Sequence, residues 1–148
     1  MEKNKIVILI GALSIILSVA FLFGQIEKPV ENIEKQEFSK QTLQVGEVVI
    51  IATPKTLAFN KKPVFDLQFD THTVELTFDI AKSSYLLEDR ERKLTGASWQ
   101  GSPPGGHHRS GQLIFPATLT ETGSVELVIE KVLDNQEVRF RWDLKGGE

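Results

Sequence analysis

The sequence predicts an all-β domain carried behind an apolar N-terminal segment, and three observations predict it. From Glu47 onward the hydrophobic residues recur mostly with a period of two, the period of half-buried strands. Turn-forming residues break that pattern into short runs, and no stretch of this part carries a helical period. The first 23 residues, by contrast, hold a run of eighteen without a charge. A chain of 148 residues has room for one ordinary domain and an appendage.

The appendage comes first. Residues 6–23 read IVILIGALSIILSVAFLF, and at ~1.5 Å per residue they approach the ~30 Å of a bilayer's hydrocarbon core. Lys3 and Lys5 precede the run and Glu27, Lys28, Glu31 and Glu34 follow it. The positive-inside tendency therefore puts residues 1–5 in the cytoplasm and the C-terminal domain outside, as a single-pass membrane protein. A cleaved signal peptide is the competing reading, because Ser18-Val19-Ala20 supplies small residues, yet cleavage there leaves Phe21-Leu22-Phe23 at the new terminus. Both readings make the domain extracytoplasmic, membrane-tethered in one and secreted in the other. Residues 24–44 are rich in Glu, Lys and Gln and read as a tether, with a turn or two of helix around Val30 to Phe38. The folded domain, 45–148, begins near Val45.

The strands follow in order. Glu47 to Thr53, EVVIIAT, is apolar on both faces and suits a central strand. Phe65, Leu67 and Phe69 share one face of the next, and Val74, Leu76, Phe78 and Ile80 share one face of another. Ser84 to Leu87, Leu94 to Trp99 and Gln112 to Phe115 read as further strands. Ser124 to Lys131 and Glu137 to Leu144 alternate cleanly and form a hairpin through Leu133 to Gln136; LEDRER, Leu87 to Arg92, is the tip of another. Seven or eight short strands in about 100 residues fit an antiparallel β-sandwich, immunoglobulin-like or cupredoxin-like, with a small barrel as the alternative. Such folds host unrelated functions, so activity has to be read from sites.

One break in the pattern points to a site. The inward positions before Asp70 are odd-numbered and those after Thr73 are even-numbered, so the chain must turn or bulge within Asp70-Thr-His72-Thr73. The other two histidines follow a turn in SWQGSPPGGHHRSGQLIF, from Ser98 to Phe115. Pro103 and Pro104 fix φ there, Gly105 and Gly106 permit positive φ, and His107, His108 and Arg109 stand at the exit. All three histidines thus fall in two breaks between strands.

Neutral imidazole suits Cu(II) and Zn(II). His72, His107 and His108, or two of them with the Asp70 carboxylate, would make a three-ligand site with a position left for water. Asp70 can instead take the N–H of a ligating imidazole. Two rival readings stand beside the metal. The histidines can pin the loop by donating to backbone carbonyls, or the Gly-rich turn and Arg109 can cradle an anion. Arg109 is expected chiefly as a partner for Asp70 or another surface carboxylate. Trp99 either presents a contact surface or closes the end of the core with its N–H on a loop carbonyl.

Composition removes several classes. The chain has no cysteine and no methionine beyond Met1, which excludes disulfides, thiolate metal sites, cysteine nucleophiles and a blue-copper centre. A net charge of -3 with scattered Lys and Arg disfavours nucleic acid. There is no nucleophile elbow, phosphate loop or dinucleotide fingerprint, and no enzyme is expected.

At FDTHTVELTFDIAKSSYLLED, GASWQGSPPGGHHRSGQLIFP and VRFRWDL the chain resembles a group of uncharacterised secreted or membrane-anchored prokaryotic proteins. These carry an Asp-Thr-His segment, a Trp-x-Gly-x-Pro-Pro-Gly-Gly-His-His-Arg-x-Gly loop and a closing aromatic-x-Trp strand. The resemblance runs from Phe65 to Leu144 and implies that His72, His107 and His108 act as one constellation. The expected function is transition-metal binding, copper before zinc, for sensing, storage or delivery, delivery implying a protein partner. The alternative is a non-catalytic module that binds a protein, an envelope component or an anion through the Trp99 to Arg109 loop.

Overall fold

The computed structural model describes residues 38–134 and 136–144. Residues 1–5, the expected anchor at 6–23 and most of the expected tether lie outside the described residues. Among the described residues no helix is long and apolar enough to cross a membrane. The described chain is all-β, without a helix. Its strands are β1 (Gln41–Val45), β2 (Val48–Thr56), β3 (Val64–Asp70), β4 (Ser84–Glu88), β5 (Arg92–Leu94), β6 (Ser98–Gly101), β7 (His108–Ile114), β8 (Ser124–Ile129) and β9 (Val138–Asp143).

They form two antiparallel sheets, one ordered β1-β2-β3-β7-β6 and the other β5-β4-β8-β9. Both sheets contribute to one hydrophobic core. Phe65 and Phe69 of β3 and Phe140 of β9 are fully buried, and each such side chain contributes roughly 1.5–3 kcal/mol by leaving water. Phe65 of the first sheet lies 5.4 Å, centroid to centroid, from Trp142 of the second, so the inner faces meet there. The β8–β9 hairpin has the expected inward residues, with Val125, Leu127, Ile129, Val138, Phe140 and Trp142 all buried.

Three local differences from the sequence reading have physical causes. The sheet begins at Gln41, inside the expected tether. Phe38 packs on the core, Trp142 Nε1 donates to Ser39 O at 2.9 Å, and Gln41 Nε2 donates to Arg141 O at 2.5 Å. The expected strand from Leu94 to Trp99 is two strands in different sheets, because the chain crosses between layers at Thr95 to Ala97, where Gly96 takes φ +76°. The expected strand from Val74 to Ile80 joins no ladder. Leu76 and Ile80 are buried and Phe78 is half-buried, so its alternation is real, but the segment is the crossover from β3 to β4.

Candidate functional site

The β3–β7 ladder ends with two pairs, Phe69 opposite Arg109 and then Asp70 opposite His108. Side chains alternate across a sheet, so the first pair faces the core and the second faces solvent. The parity break expected within Asp70 to Thr73 is this strand end. Asp70 Oδ1 lies 2.8 Å from His108 Nδ1, with side chains about half and 65% exposed. A carboxylate only accepts, so Nδ1 donates in this contact, and a neutral imidazole held this way keeps its lone pair on Nε2. The His72 ring stands 6.0 Å from that of His108, nearly perpendicular at 79°.

The loop is held by backbone bonds. Gly105 and Gly106 take φ values of +109° and +75°, as their lack of a Cβ allows. In that conformation Gly105 N donates to Leu76 O, Leu76 N donates to Gly106 O, and Thr71 N donates to His107 O, each at 2.9 Å. The Thr73 hydroxyl donates to the Glu47 carboxylate at the β1–β2 turn. The loop is therefore stitched to the crossover segment by main-chain atoms, and no described bond runs from an imidazole to a backbone carbonyl. His107 is tied through its carbonyl while its side chain is exposed.

Arg109 departs from its expected role as partner of Asp70 or a surface carboxylate. It is 3% exposed, and Nη1 donates to Leu76 O at 3.0 Å and to Phe78 O at 2.7 Å, with Cζ 5.5 Å from the Phe78 ring. Its Nε is buried without a partner. Burial lowers the guanidinium's pKa from its ordinary value, opposed by the charge of Asp79. Leu76 and Phe78 lie in the segment that joined no ladder, and Arg109 supplies donors where a neighbouring strand would have. The anion cradle accordingly loses its guanidinium to the core and the Gly105 N–H to Leu76.

Trp99 closes the edge of the core, half-buried, with Nε1 donating to Ser102 O at 2.9 Å. Its indole lies over Gly101 and Gly111, where a Cβ would stand 2.7 and 2.8 Å from Trp99 Cζ2. Trp99, Gly101, Arg109 and Gly111 are thus packing residues within the loop motif. Of the expected site residues the structure brings together His72, His108 and Asp70. Among the described residues no group of three or more His, Asp or Glu side chains is arranged to hold a metal ion. Sequence reasoning missed the crossover carbonyls that Arg109 holds and the Glu47–Thr73 link, neither of which leaves a local signal. Compared with protein-family models, curated proteins and solved structures, the chain matches none.

Proposed function

We propose that the two sheets form an extracytoplasmic β-sandwich, immunoglobulin-like or cupredoxin-like and tethered to the membrane, whose surface histidines His72 and His108 bind a transition metal, copper before zinc. One observation carries this reading: the exposed His108 ring is held at Nδ1 by Asp70, and the His72 ring is 6.0 Å away. A carboxylate behind an imidazole fixes its tautomer and raises its basicity, which is the arrangement found behind metal-ligating histidines. Two imidazoles completed by water suit tetragonal Cu(II), whereas zinc sites draw three or four ligands from the protein. His107 is exposed beside this pair, and only its backbone carbonyl is tied among the described contacts. Sensing, storage or delivery to a protein partner are the uses such a site suits.

The test is metal content and spectroscopy on the purified full-length chain without a histidine tag. Wild type binds about one equivalent of Cu(II) with nitrogen hyperfine structure. His72→Ala and His108→Ala lose it, and Asp70→Asn weakens it roughly 10–100-fold, as loss of an outer partner does. Full retention of copper in either histidine variant ends the shared site. Stabilisation of the chain by a protein or anion but not by copper would favour the interaction module instead.

A further inference from the structure

We infer that the turn Ala58-Phe59-Asn60-Lys61 and Lys62 form a contact surface for an anionic bilayer, the same membrane in which residues 6–23 are proposed to anchor the chain. The contact rests on that anchor reading and adds to it an orientation of the domain.

Phe59 is 69% exposed, the most exposed large hydrophobic side chain among the described residues. It is not on a loose tip. Lys61 N donates to Ala58 O at 3.1 Å, Asn60 N donates to Leu119 O and Leu119 N to Lys61 O, both at 3.0 Å, and Asn60 takes φ +57°. The turn is thereby clipped to the Leu119 segment, with its base sealed by buried Leu57 and Pro63. An aromatic ring held outward in this way has no internal reason to face water. Lys61 and Lys62 are exposed beside it, and neither forms an ion pair among the described residues. An apolar ring flanked by two cations is the pattern that seats at the boundary of headgroups and acyl chains, where each nearby Lys adds attraction to anionic lipid.

The topology puts this turn at the pole where the chain enters the sheet. β1 begins at Gln41, opposite Ala52, and β2 runs on past that point to Thr56, so the chain arrives at the pole from which the 57–63 loop projects. Between Phe23 and Phe38 lie residues 24–37, fourteen in all, which span roughly 50 Å at most when fully extended. The histidines are at the other pole. Val49, Asp70 and His108 are neighbours across the sheet, and the seven residue steps from Val49 to Thr56 at ~3.4 Å separate the poles by roughly 24 Å. A domain seated on Phe59 therefore holds His72 and His108 away from the lipid.

The chain has no cysteine, so an Ala58→Cys variant carries one label. The full-length chain bearing an environment-sensitive fluorophore there is reconstituted into vesicles of phosphatidylcholine alone or with phosphatidylglycerol, and a label at Gln68→Cys serves as the comparison. We expect a lipid-borne quencher to dim the 58 label several-fold more than the 68 label, more strongly with phosphatidylglycerol, and the difference to disappear in Phe59→Ala and in the Lys61→Glu, Lys62→Glu pair. All of these substitutions fall on exposed side chains and leave the core intact. If the chain resists alkaline extraction yet both labels are equally open to an aqueous quencher, the contact is wrong and the anchor stands. If the chain is washed off by alkali, the anchor falls and the contact falls with it.

Discussion

Two segments of this molecule carry the same alternating pattern and solve the backbone's problem differently. In the β8–β9 hairpin every inward residue lies in a ladder, and the N–H and C=O groups between Ser124 and Ile129 face partners in β9 on one side and β4 on the other. From Val74 to Ile80 the inward residues Leu76 and Ile80 are as deeply buried, yet no strand lies alongside. There the Leu76 and Phe78 carbonyls are met by Arg109 and the Leu76 amide by Gly106. Where a ladder is lacking, side chains and a bent loop take its place. That substitution explains why the residues with unusual chemistry gather around the crossover.

The contrast can be tested by breaking each side of it. The largest effect is expected in the hairpin: Phe140→Ala removes a fully buried ring between the sheets and should cost roughly 3–5 kcal/mol in urea unfolding. Arg109→Met keeps much of the packing volume but leaves the Phe78 carbonyl without its donor, at roughly 1–3 kcal/mol, while the Leu76 carbonyl keeps the Gly105 N–H. Hydrogen exchange separates the two. The Arg109 variant should speed exchange at the Leu76 amide while the β8–β9 amides keep their protection, and uniform acceleration would mean the crossover is no separate unit.

The smallest effect concerns Asp89, another side chain that serves main-chain groups. Its carboxylate accepts from Gly123 N and Ser124 N at the start of β8, and these bonds, the Gly123 N–H foremost and the Thr122 hydroxyl next, hold its pKa at about 2, below the ordinary 3.8. The unfolded state binds the proton more tightly. The contribution is therefore complete above 3.8 and is lost as pH falls toward 2. Asp89→Asn should melt below wild type near neutral pH and converge with it across that window. A gap that stays constant into acid would mean that the charge is irrelevant.

Much of the sheet architecture was legible because burial on one face forces a period of two. Phe65, Leu67, Phe69, Val125, Leu127, Phe140 and Trp142 all lie where that pattern put them. The ladder partners were not legible. Alternation reports which side faces the core, and it is silent on whether another strand or a guanidinium satisfies the backbone between, as Val74 to Ile80 shows. β1 was hidden because QTLQV is mostly polar and half of what it does is edge pairing with β2. In the loop motif the glycines at 105 and 106 were readable from their turn chemistry. Gly101 and Gly111 were not, since their reason is the close approach of each other's backbone and the Trp99 indole, which only the folded sheet brings near. Arg109 was misread because charge suggests a surface carboxylate, and its real acceptors are carbonyls more than thirty residues earlier.

The strap formed by Ser39 and Gln41 on β9 also has a mechanical side. Any pull delivered along the chain ahead of Phe38 reaches the Trp142 indole and the Arg141 carbonyl before it reaches the β1–β2 ladder. The load is then divided between both layers, because Gln41 is bonded to β9 of one sheet and paired with Ala52 in the other.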